Sequence, residues 1–172
     1  MFLEVFKLAP TSFIIFPFCV IASWMMKGLA CLLSPLIAGI SMTTGKNEVG
    51  GILAYFYTHD ASLDGGIDGG FPGYDPQAKG LKLWWQRIRW ICRNPAYRFN
   101  AHILGFDAAT SKIIFEHGVQ DWPNFNYWTV IESKGGWRFF GWRGDRDLWF
   151  GWNYIPYGGR HQLKAKPIKD KL

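Results

Sequence analysis

The sequence predicts an α+β fold. An apolar helical segment comes first, one amphipathic Trp/Arg helix follows, and an antiparallel β-meander fills the C-terminal half. Three observations carry that prediction. Residues 8–45 hold a single charged side chain, Lys27. Residues 81–92 set apolar side chains at three- and four-residue steps. Beyond Phe99, short aromatic and β-branched runs alternate with Gly-rich turns. The chain divides accordingly into an apolar anchor segment 1–45, an acidic Gly/Asp-rich connector 46–80, and a helix-plus-sheet domain 81–172.

The apolar segment reads as two halves, "LAPTSFIIFPFCVIASWMM" and "GLACLLSPLIAGISMTTG". Each is close to the ~20 residues that cross a bilayer core. Together they suit one kinked span, with Pro17 and Pro35 as the kinks, or a shallow re-entrant hairpin with Lys27-Gly28 at its tip. A helical hairpin buried in an assembly is the competing reading. A cleaved signal peptide fits poorly, because the n-region is weakly basic and no small-residue cleavage site closes the run. The near flanks do not orient the segment, since Lys7 is offset by Glu4 and Lys46 by Glu48.

The connector contains "HDASLDGGIDGGFPGYDP", His59 to Pro76. Read as a calcium loop from Asp64, it places Asp68 at position 5, Gly69 at position 6 and Asp75 at position 12. Position 3 is Gly66 and position 9 is Pro72, and no helix-forming flank follows. Asp60, Asp64, Asp68 and Asp75 are therefore the candidate ligands of a hard cation, Ca²⁺ or Mg²⁺. The plainer reading is a solvated connector in which Asp and Gly make turns and no cofactor is bound.

The stretch "GLKLWWQRIRWICRNPAYRFN", residues 80–100, has helical period. Leu81, Trp84, Trp85, Ile88, Ile91 and Cys92 share one face, and Lys82, Gln86, Arg89 and Arg93 the other. Pro95 ends the helix, with Asn94 as a left-handed cap. A Trp-rich face beside a basic one suits a membrane interface. It equally suits a helix lying on a sheet with its cations in water. Lys82, Trp84, Trp85, Arg89, Trp90 and Arg93 are the candidate membrane or partner contacts.

That same stretch resembles a family of uncharacterised proteins of tailed bacteriophages. In them an Asp/Gly-rich stretch precedes a Trp/Arg helix ending in an Arg-Asn-Pro-Ala-Tyr phrase, and an aromatic β-rich tail follows. The matching residues are Trp90 and Arg93 to Tyr97, with Asp64 to Asp75 upstream, and the likeness covers residues 55–160. It implies a viral accessory or structural role and brings no catalytic residues. The expected location is a host cell membrane, or alternatively a virion. The expected partner is a host envelope protein or a phage structural protein.

In the last third, "KIIFEHG", "FNYWTVIES", "GWRFFGW", "DLWFGWNYI" and "RHQLKAKP" read as strands, and "KGG", "RGD" and "PYGG" as turns. A meander of four or five strands follows. "WRFFGW" and "LWFGW" are apolar on both faces, so the sheet is covered on both sides or presents an aromatic surface. Trp137, Trp142, Trp149 and Trp152 are the candidates for such a surface. Cover by the Trp84–Cys92 helix is the alternative.

Composition limits the chemistry. The formal net charge is +6 with ten Trp, and the pI is near 9.3. Excess base suits an anionic partner, but no nucleic-acid-binding module accompanies it. Cys19, Cys31 and Cys92 lack the spacing of a disulfide framework or zinc site and read as small buried thiols. No nucleophile elbow, phosphate loop, dinucleotide fingerprint or HExxH phrase occurs, so no small-molecule substrate is identified. His102, His117 and His161 are scattered and read as structural. Binding is favoured over catalysis. A structural component with the apolar segment buried between subunits is the first alternative, and a metal-dependent hydrolase using the Asp-rich loop the second.

Overall fold

The computed structural model describes residues 2–58, 62–63, 73–119, 126–143, 148–155 and 159–167. Among these the fold is α+β, with helices in the N-terminal half and a six-stranded antiparallel sheet in the C-terminal half. By compactness the chain forms two units. One joins residues 1–21 to residues 101–172, and the other is residues 22–100.

Helix α1 runs Phe2–Leu8 and α2 runs Pro10–Thr44. Proline is well placed at the first position of α2, where its missing N–H would have had no partner. The 35-residue α2 passes through Pro17, Lys27-Gly28 and Pro35 without a turn. Of the two readings, one continuous helix and a hairpin at Lys27-Gly28, the hairpin is not formed. One glycine costs a helix only ~1 kcal/mol, and Met25, Met26, Leu29 and Ala30 around it are good helix formers. Serine hydroxyls in this apolar helix turn back on its own carbonyls: Ser34 donates to Cys31 O at 2.8 Å and Ser41 to Ala38 O at 2.7 Å.

In the unit of residues 22–100, a 3-10 helix spans Gly51–Phe56, α3 spans Gly80–Arg93 and α4 spans Tyr97–His102, which reaches into the other unit. The core is built from Ala30, Ile37, Phe56, Tyr57, Leu63, Ile91 and Ala96, with Met26, Leu33, Trp90 and Phe99 against it. Asn94 ends α3 by donating its N–H to Trp90 O, but its φ of −123° is not left-handed. The left-handed residue is Ala96, at φ 55°. Its N–H reaches Phe56 O at 2.9 Å, and the Arg98 N–H reaches Tyr57 O at 3.0 Å. The Arg-Asn-Pro-Ala-Tyr phrase thus ties the end of α3 to the 3-10 helix.

In the other unit the strands are β1 Phe106–Asp107, β2 Lys112–Val119, β3 Asn126–Ser133, β4 Gly136–Arg143, β5 Leu148–Ile155 and β6 Arg160–Pro167. Their order is β1-β6-β5-β4-β3-β2, a meander from β2 to β6 with the two-residue β1 added beside β6. One face carries Trp128, Val130, Phe139, Trp152 and Leu163, buried against Val5, Ala9, Phe13 and Phe16. Phe13 stacks on Phe139 with centroids 3.9 Å apart and rings 6° from parallel. This face is covered by α1 and the first turns of α2; Ile91 of α3 belongs to the core of residues 22–100. The second face buries Tyr127, Thr129, Ile131, Phe140 and Gln162, so the doubly apolar strands are covered on both sides.

Two glycines make this aromatic packing possible. A Cβ on Gly141 would lie 2.9 Å from the rings of Phe150 and Trp128. Gly151 has φ +101°, and a Cβ there would lie 2.2 Å from Phe139 O. Neither position has room for a side chain.

Candidate functional site

The outward face of α2 is the largest unexplained feature. Ile14, Phe18, Ile21, Met25, Leu29, Leu32 and Leu36 are all exposed and follow one another at steps of three or four residues. Met25 is 71% and Leu32 78% exposed. Trp24 stands exposed at the edge of the same stripe. The opposite face is covered: Ser12, Ser23, Ala30, Ser34, Ile37, Ala38 and Ser41 are buried, and Phe13, Phe16, Met26 and Leu33 pack against the cores. Large apolar side chains therefore stand on both faces of α2, and those of the outward face are left exposed. An apolar outward face departs from the usual pattern of a surface helix in water, whose exposed side is polar. At 1.5 Å per residue the 35 residues of α2 extend ~52 Å. Among the described residues it is the one helix long and apolar enough to cross a membrane.

Helix α3 adds a second outward stripe within the unit of residues 22–100. Lys82, Trp85, Arg89 and Arg93 are exposed at helical spacing, with Trp85 57% exposed. Leu81 beside them is 82% exposed. A tryptophan set among cations on an exposed helix is the arrangement that settles at a headgroup boundary. The Lys82 ammonium is also paired with Asp75 at 2.5 Å.

The two remaining sequence candidates on α3 are spent inside the fold. Trp84 Nε1 donates to Pro35 O at 3.1 Å, and Trp90 Nε1 donates to Ser62 O at 3.1 Å. Gln86, expected on the solvated face, is buried and clamps the Asp75 backbone: the Asp75 N–H donates to Oε1 at 2.9 Å, and Nε2 donates to Asp75 O at 3.0 Å. Arg87, which the periodicity did not single out, is 5% exposed. Its Nη1 donates to Ser41 Oγ at 2.8 Å and its Nη2 to Asn47 Oδ1 at 2.7 Å, fastening α3 to the end of α2. Burial lowers the Arg87 pKa from its ordinary value.

A protein-family model matches residues 7–171, nearly the whole chain. The chain belongs to a family of unknown function, DUF7338. No curated protein and no solved structure matches it.

In this DUF7338 chain the remaining sequence candidates fare unequally. Asp60, Asp64 and Asp68 lie outside the described residues. Asp75 is engaged locally: its Oδ1 accepts the Gln77 N–H at 2.9 Å and its Oδ2 meets Lys82, and these contacts hold its carboxyl below the usual carboxylate range. Among the described residues no three His, Cys, Asp or Glu side chains converge as a metal would require. Of the aromatic candidates, Trp137 is exposed and the side chains of Trp142 and Trp149 lie outside the described residues. Trp152 is 1% exposed, so it is a core residue and not a surface one. Its Nε1 donates to Leu104 O at 2.7 Å, and the Arg138 guanidinium lies 5.3 Å from its ring centroid. The expectation of small buried thiols also fails for Cys31 and Cys92, which are exposed.

Proposed function

We propose that this chain is a membrane-associated protein that acts through binding and not catalysis, held to a bilayer by the exposed apolar stripe of α2. The observation that carries the reading is the stripe itself, from Ile14 to Leu36, on a helix whose only charge is Lys27. Burying one large apolar side chain contributes ~1.5–3 kcal/mol. Seven in register far exceed what a monomer leaves open to water. The Lys82, Trp85, Arg89 and Arg93 stripe and the net charge of +6 suit an anionic lipid surface.

The covered face of α2 favours a helix lying along the membrane surface over one crossing it. A crossing takes ~20 consecutive residues. Any such stretch within Pro10–Thr44 includes Phe16 or Cys19, which pack on the sheet's core, or Ala30, which is buried in the core of residues 22–100. Lying flat leaves both cores intact and gives lipid only the outward stripe. The phage setting implied by the sequence resemblance makes host-envelope modification, superinfection exclusion or lysis support the corresponding roles.

Vesicle flotation of the purified chain tests this. The full chain should float with vesicles containing anionic lipid. The Phe18→Ser, Met25→Ser, Leu32→Ser variant should stay at the bottom with its fold intact by circular dichroism. If the native chain stays at the bottom too and runs as a defined oligomer, the stripe is instead an interface between subunits, as in a virion component.

A further inference from the structure

We propose that Cys31 and Cys92 form an oxidisable dithiol site, which a small-molecule disulfide of the glutathione class closes into a bond between α2 and α3. The two cysteines lie on different helices, yet both belong to the unit of residues 22–100. The two thiols are close enough to act on each other: burial first, and then the neighbouring Cys92, push the Cys31 thiol up to about 11. Ser34, one turn beyond Cys31, fixes the geometry from the other side: its hydroxyl donates to Cys31 O at 2.8 Å and lies 3.6 Å from Cys92 Sγ. Both sulfurs belong to exposed residues, so an oxidant reaches them. Cys31 comes one residue before Leu32 and so stands about 100° round the helix from the apolar stripe. Cys31 follows Trp24 by seven residues and Cys92 follows Trp85 by seven, so the site borders the surfaces offered to lipid, and its test is made on the chain without vesicles.

The helices are already held together by Ile91 against the Ala30 and Ile37 core, so the thiols meet without folding anew. The exchange is balanced as two displacements. The Cys92 thiolate attacks one sulfur of the oxidised disulfide and expels one thiolate, giving a mixed disulfide. The Cys31 thiol, raised to about 11, gives up its proton to an alkaline buffer, attacks the Cys92 sulfur and expels the second thiolate. The protein loses two protons and two electrons, and the reagent is reduced to two thiols. Cys19, half-buried in the other unit, has no such partner among the described residues and serves as an internal control.

The test is oxidation of the purified full chain with oxidised glutathione, followed by alkylation and peptide mapping. The expected product is a monomer in which the Cys31 and Cys92 peptides are joined and Cys19 alone is alkylated. Closing so long a loop should also raise the melting temperature. In Cys31→Ser the resolving thiol is gone, so the Cys92–glutathione mixed disulfide should accumulate several-fold over wild type. Cys92→Ser should yield no linked peptide. The proposal is overturned if all three cysteines stay equally alkylatable. It is also overturned if wild type accumulates the mixed disulfide as Cys31→Ser does, or if the linkage joins two chains.

Discussion

Tyr57→Phe isolates one pair of hydrogen bonds in the core of residues 22–100. The Tyr57 side chain is fully buried. Its hydroxyl donates to Val49 O at 2.6 Å and accepts the Val49 N–H at 2.8 Å, so one oxygen satisfies both backbone groups of one buried residue. Phenylalanine keeps the ring and its packing and removes only that oxygen. Val49 then holds an unmade donor and an unmade acceptor. Each costs about 1–3 kcal/mol when buried. Because the two share one residue and relax together, the total should be about 2–4 kcal/mol. The most direct assay is hydrogen exchange at the Val49 amide, alongside thermal unfolding. If opening follows the lost stability, exchange there should speed by at least about tenfold. An unchanged melting temperature with Val49 exchange within about twofold of wild type would refute the reasoning, because it would mean that water or the backbone replaces the hydroxyl at no cost.

Other outcomes follow from the sheet. Gly151→Ala adds a methyl where Phe139 O stands 2.2 Å away, at a φ that L-residues avoid. It should cost at least ~2–3 kcal/mol, read by denaturant unfolding. Gly159→Ala, with positive φ but open space around it, should cost less. His161 is buried and stacks on Phe106 with centroids 4.7 Å apart. Desolvation lowers its pKa below the ordinary value. The unfolded chain therefore holds this proton at a pH where the native chain does not. The His161 contribution is complete above the unfolded pKa of ~6.5 and is lost as pH falls through it toward the lower native value. The drop in melting temperature on acidification should accordingly shrink in His161→Phe, and an identical drop in both proteins would contradict it.

Much of the fold was legible because it rests on local periodicity. The five meander strands are visible as β-rich runs separated by glycine turns, and α3 as a three-and-four spacing closed by Pro95. The two-residue β1 carries no periodic signal and exists only through its pairing with His161 and Arg160. Whether the chain breaks at Lys27-Gly28 was left open by the sequence, since a charge and a glycine permit a turn but cost a helix little. On α3 the sequence offers one broad apolar face, and nothing local says which part of it is covered. Leu81 and Trp85 look like core and are exposed, whereas Gln86 and Arg87 look solvated and are buried. What decides this is tertiary: Asp75 for Gln86, Ser41 and Asn47 for Arg87. The same holds for Trp152, whose surface reading fails once Leu104 O accepts its N–H. Of the site, the apolarity of α2 was legible, but the division of that helix into a covered face and an exposed one was not.

Because α2 supplies side chains to both cores, deleting residues 1–45 would remove packing from each and could not separate anchoring from folding. A single-site label avoids that difficulty. With Cys19, Cys31 and Cys92 replaced by serine, a fluorophore is placed at Met25, at Leu32, or at the exposed Lys134 in the turn between β3 and β4. Each protein is then mixed with vesicles carrying a bromine-labelled acyl chain. The account predicts that the labels at Met25 and Leu32 are quenched by the lipid and shielded from iodide in the buffer, while the label at Lys134 behaves in the opposite way. Labels at Met25 and Leu32 that remain open to iodide and untouched by the brominated lipid would contradict the membrane reading of α2.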